Sequence, residues 1–89
     1  MTNNHYETIE KVRKAISKSL QAASEKDVTV SEKKLFSAIF AEFNLGSVSC
    51  NRIVINLVEQ NLISRTKNGN DYDLFWIGEK DLFSKEVKK

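Results

Sequence analysis

Few side chains in this sequence carry reactive chemistry, and most of those stand alone. Cys50 is the single cysteine. That rules out an intramolecular disulfide and a cysteine-built metal site. Two readings are left: a redox-sensing thiol, or a small apolar core residue. Its helical phase, shared with Ile53, Val54 and Leu57, favours the second. His5 is the single histidine, so a histidine metal site or a Ser-His-Asp triad has no material; it is expected in solvent. The three glycines are scattered and form no phosphate-cradling loop. Catalysis, a metal and a cofactor are therefore not expected. Basic chemistry remains. Lys11, Lys14 and Lys18 share one side of a helical segment. They read either as a solvated face, salt-bridged by Glu7 and Glu10 four residues before a lysine, or as a stripe that touches phosphates.

The elements that must position such residues fit one small domain, residues 1–89. Hydrophobic residues make up 40% and charged residues 29%, which excludes collagen-like, disulfide-rich and disordered classes. No apolar run is long enough to span a bilayer. The stretch from Met1 to His5 lacks the basic and apolar regions of a signal peptide. Net charge is only +2. Residues 47–78 are neutral as a segment: Arg52, Arg65 and Lys67 balance Glu59, Asp71 and Asp73. There is no proline, so turns fall to Gly, Asn and Ser.

Tyr6, Ile9, Val12, Ile16, Leu20 and Ala23 recur at steps of three and four, predicting a helix over about residues 5–24. Asn4 is a candidate cap, with Glu7 as its reciprocal partner. Val28-Thr29-Val30 predicts a short strand. Ser31 caps a second helix over about 32–43. Its Leu35, Phe36, Ile39, Phe40 and Phe43 share one face, which reads as core rather than as a ligand-binding aromatic cluster. Asn44 to Ser47 make a turn. A third helix follows over about 47–60, with Cys50, Ile53, Val54, Leu57 and Val58 inward. Val48, Arg52, Ile55, Asn56 and Glu59 lie opposite. Asn61 takes the left-handed stop. Two strands over about 62–77 flank an Asn68-Gly69 hairpin signal. That turn would set Ile63 opposite Leu74, Arg65 opposite Tyr72, and Leu62 opposite Phe75. Leu82, Phe83 and Val87 predict a short terminal helix over about 79–87, and Lys88 and Lys89 are expected to fray. The expected class is α+β and mostly helical: three helices, a β-hairpin and a short C-terminal helix.

In this order, residues 28–75 resemble a winged helix-turn-helix DNA-binding domain of small prokaryotic, archaeal or viral transcription regulators. Ile39-Phe40-Ala41-Glu42-Phe43-Asn44-Leu45 is similar to that family's Leu-Ala-x-x-Leu-Gly-Val. Ser49-Cys50-Asn51-Arg52 is similar to its Thr-Val-x-Arg, which puts Cys50 where valine is usual. Leu57-Val58-Glu59-Gln60-Asn61-Leu62-Ile63 is similar to Leu-Glu-x-x-Gly-Leu-Ile, with Asn61 for Gly. Tyr72-Asp73-Leu74 is similar to the Tyr-x-Leu of the returning wing strand. The sequence departs from the pattern where helix 2 starts about one turn early, where Phe40 replaces a small residue, and where Gly46 stands for a capping Ser. Ser47 is then the expected cap.

The resemblance implies sequence-specific binding of double-stranded DNA by a transcription regulator. The third helix would enter the major groove, presenting Ser47, Val48, Ser49, Asn51 and Arg52, with Asn56 further along. Arg52 suits a bidentate contact to guanine, Asn51 suits adenine or a phosphate, and Val48 suits a thymine methyl. Arg65, Lys67 and Asn68 of the wing would lie on the backbone or in the minor groove. Ser31 and Lys34 would anchor phosphates at the start of helix 2. The resemblance further implies a homodimer in the cytoplasm, nucleoid-associated, with no membrane and no small-molecule ligand. Bland readings stand beside these: Arg52 paired with Glu59 or Asp73, and the hairpin tip as a plain polar turn. The alternative function is a winged-helix protein–protein module or subunit of a larger complex.

Overall fold

The computed structural model describes residues 3–79. In chain order the elements are α1 (Asn3–Glu25), β1 (Val30–Ser31), α2 (Glu32–Phe43), α3 (Ser47–Glu59), β2 (Ile63–Asn68) and β3 (Asp71–Trp76). The three strands form one antiparallel sheet in the order β1-β3-β2. This is a small α+β domain. The terminal helix expected over 79–87, with Leu82, Phe83 and Val87, lies outside the described residues.

One core joins the helices to the sheet. Val12, Ile16 and Leu20 of α1 are fully buried, as are Cys50 and Val54 of α3 and Leu74 of β3. Each such aliphatic side chain stabilises the fold by about 1.5–3 kcal/mol relative to exposure. The apolar stripe of α1 leaves the core at its start, where Tyr6 is 70% exposed. Asn4, expected as a cap, falls inside α1.

Three positive-φ residues end the three helices. Asp27 (φ 59) follows α1, Asn44 (φ 58) closes α2 and Asn61 (φ 61) follows α3. After α3, the Leu62 N–H donates to Leu57 O at 3.0 Å and the Asn61 N–H to Val58 O at 2.9 Å. After α1, Val28 donates to Ala23 O at 3.1 Å and Asp27 to Ser24 O at 2.9 Å. Both are paired 6→1 and 5→2 bonds that satisfy orphan carbonyls of the last turn. Asn and Asp tolerate the left-handed region better than other non-glycine residues.

Several expectations need correction. The first strand starts at Val30, and Val28 is half exposed, because the turn through Asp27 uses Val28 to close α1. Phe40 is 57% exposed rather than core. Leu35 and Ile39 point straight inward, Phe36 and Phe43 flank them half-buried, and Phe40 lies at the rim of that arc. Gly46, not Ser47, is the N-cap of α3, and no side chain caps that end. The hairpin register is shifted. Ile63 faces Trp76, Arg65 faces Leu74 and Lys67 faces Tyr72. The turn is Gly69-Asn70, with Gly69 at φ 65. Glycine takes the first central position, as a two-residue turn of the II′ kind requires, and Asn68 stays in the strand. Each partner moves by two residues, so the faces are preserved, and Ile63, Leu74 and Trp76 are buried together. The indole Nε1 of Trp76 donates to Glu79 O at 3.0 Å. Of the three β3 aromatics, Tyr72, Phe75 and Trp76, the indole is therefore held inside the fold.

Candidate nucleic-acid interface

Helix α3 divides into two faces. Cys50, Ile53, Val54 and Leu57 are buried, which turns Ser47, Val48, Asn51 and Arg52 to solvent. Val48 is 76% exposed. Arg52 has no hydrogen-bond or ion-pair partner among the described residues, so neither Glu59 nor Asp73 neutralises it. Ser49 and Asn56 are half-buried. The Cys50 thiol donates to Leu45 O at 3.8 Å. Burial raises its pKa, which disfavours the thiolate, and its full burial fits the core reading.

The α3 residues open onto a groove of about 550 Å³ against α1. Ser49, Asn51, Arg52, Asn56 and the carboxylate of Glu59 line it from α3, with Ile53 and Ile55, and Tyr6, Ile9 and Arg13 from α1. The Arg13 Nη1 donates to Asn56 Oδ1 at 3.0 Å. Sequence reasoning missed Arg13. The signal was present: it is the one arginine among the cations of α1, one turn from Ile9 and at the edge of the apolar stripe.

The hairpin and the start of α2 are tied by two polar joints. In the first, Arg65 of β2 donates to Glu32 through Nε at 2.8 Å and Nη2 at 3.2 Å. Glu32 is buried to 8% exposure. The Arg65 guanidinium also lies 3.8 Å from the centre of the Tyr72 ring, with Lys67 Nζ at 5.3 Å from the same ring. The hydrogen bond to Glu32, followed by its charge, holds the Arg65 pKa above its ordinary value against desolvation. In the second joint, Asp71 of β3 accepts from the Ser31 hydroxyl, from the Lys33 N–H at 3.1 Å and from the Tyr72 N–H at 2.6 Å. These bonds, Ser31 first, lower the Asp71 pKa. The Ser31 Oγ also accepts from the Lys34 N–H at 3.3 Å, as expected for a cap.

The site residues read from sequence are therefore distributed unevenly. Ser49, Asn51, Arg52 and Asn56 come together in the groove. Arg65 and Ser31 are engaged internally, and a carboxylate already sits at the start of α2, where a phosphate was expected. Lys34 and Lys67 are exposed, and the exposed Asn68 donates to Asp73 at 3.1 Å. No three His, Cys, Asp or Glu residues cluster for a metal among the described residues. No described helix is long and apolar enough to cross a membrane. Comparison with protein families, curated proteins and solved structures finds no match.

Proposed function

We propose that this chain is a winged helix-turn-helix protein that binds double-stranded DNA sequence-specifically, as a transcription regulator. The element order supports it: three helices, with β1 placed on the returning strand β3 of a β2–β3 hairpin. The single observation that carries the reading is Arg52. It is exposed on the outward face of a helix whose other face is buried, and it is without a partner among the described residues. A free guanidinium beside Asn51, Ser47 and Val48 has the donors and the methyl contact that major-groove edges require.

Charge does not decide between readings: Arg52 and Lys67 are exposed, but so is Glu59, Arg65 is paired with Glu32, and the donors on Asp71 and Asp73 are uncharged. In the DNA-binding reading Lys67 and Asn68 at the hairpin tip lie along the DNA backbone, and two copies bind two half-sites.

The test is a titration against a pool of random duplex DNA at two salt concentrations. Selection of a motif, with affinity falling steeply as salt rises, supports the reading. No binding even at low salt overturns it. A second reading, a winged-helix protein-interaction module, rests on the exposure of Val48 and Phe40. It predicts that the purified chain ignores duplex DNA.

A further inference from the structure

Arg13 and Asn56 sit 43 residues apart in sequence and meet across the α1–α3 groove at 3.0 Å. A guanidinium carries only donors, so the amide atom that faces it must be the oxygen. The orientation of the Asn56 amide is therefore set by chemistry. Its Oδ1 is turned to α1, and its NH₂ group is left for whatever enters the groove. Asn56 lies one helical turn after Arg52, on the same stripe of α3. Both line the groove.

We propose that Arg13 is a positioning residue that sets base preference: by holding Asn56 Oδ1 it makes Asn56 a donor, which selects guanine over adenine. The inference rests on the DNA-binding reading above. An asparagine reads adenine by turning both amide atoms to one base edge, accepting from N6 and donating to N7. Oδ1 keeps a second lone pair, but the guanidinium holds it toward α1, so the amide does not swing freely to lay both atoms along one base edge. Guanine instead offers two neighbouring acceptors, O6 and N7, to the remaining NH₂ group. Adenine sets its own N6 donor against that donor. The first helix, which touches no base in this scheme, thus governs what the third helix reads.

The experiment is motif selection from random duplex DNA by the wild type and by the Arg13→Gln, Arg13→Lys and Asn56→Ala variants, each checked for unchanged melting. The wild-type motif is expected to hold one guanine position, favoured over adenine by roughly tenfold, that Asn56→Ala erases. Arg13→Gln releases the amide and should bring adenine at that position to within about threefold of guanine, because the side chain can then turn both atoms to one base edge. Arg13→Lys keeps a donor-only partner and should keep the guanine preference. A motif from Arg13→Gln identical to that of the wild type overturns the proposal while leaving DNA binding intact. A wild type that selects no motif overturns the DNA-binding reading itself, and the role of Arg13 with it.

Discussion

Arg65 and Glu32, 33 residues apart in sequence, meet as a two-point ion pair between the hairpin and the first turn of α2. The contact is almost closed to solvent: the two side chains are 20% and 10% exposed. Truncating the arginine leaves Glu32 with a largely desolvated charge. Arg65→Ala is expected to cost about 1–3 kcal/mol, because an orphaned carboxylate is worse than a missing pair. Adding Glu32→Gln to that variant should recover part of the loss. Urea melts of Arg65→Ala, Glu32→Gln and the double variant give the coupling; additive losses would mean that the two residues do not act as a pair.

Asp71 supplies a pH dependence with a definite sign. Its folded pKa lies below the ordinary aspartate value of 3.8. Its contribution to stability is therefore full above that value and is lost as the pH falls below it, through the lower folded pKa. The melting temperature of the wild type should fall more steeply below about pH 4 than that of Asp71→Asn, which should also be the less stable protein at neutral pH. Parallel curves for the two proteins would remove the role given to this carboxylate.

Arg52→Ala should leave melting unchanged within about 0.5 kcal/mol, as an exposed side chain without partners allows. Affinity for a selected DNA site should fall by about tenfold or more. The loss is largest on the preferred sequence if Arg52 meets a base, and uniform across sequences if it meets a phosphate. Competition titrations with selected and scrambled duplexes separate the two.

Neighbouring positions on α2 should respond oppositely. Ile39→Ala removes a buried side chain at 4% exposure and should cost about 2–5 kcal/mol. Phe40→Ala, one residue on and 57% exposed, should cost less than about 1 kcal/mol. Thermal denaturation of both settles whether the rim position carries any packing.

The start of α3 can be improved. Gly46 has φ −75 and no side-chain cap bond, and a Cβ added there would meet no atom within 4 Å. Gly46→Ser should add a cap and reduce unfolded-state freedom, raising stability by a few tenths to about 1 kcal/mol. A lower melting temperature for that variant would show that Gly46 serves another purpose.

What was legible in the sequence was local. The limits of α2 follow from Ser31 at one end and Asn44 at the other, and both act within four residues of their partners. Asn61 was legible for the same reason. The faces of the hairpin were legible because their period is two, whereas its register was not: Asn68-Gly69 and Gly69-Asn70 both make plausible two-residue turns, and the deeper pairing of Ile63 with Trp76 goes with the second. The exposure of Phe40 was hidden because an amphipathic arc gives no sharp rim. In the site, the outward set on α3 followed from helical phase. The engagement of Arg65 by Glu32 and of Asn56 by Arg13 did not, since each joins residues more than thirty apart and depends on how the elements dock.

The joint between Ser31 and Asp71 spans 40 residues of sequence and encloses both α2 and α3. Its consequence is kinetic. A segment tied at both ends peels away less readily from one side, and α3 is further held by Cys50, Ile53, Val54 and Leu57 in the core, so the opening of its centre is coupled to that of the sheet. A helix held that way presents its outward side chains already ordered, and little of its own freedom is left to lose when a partner arrives.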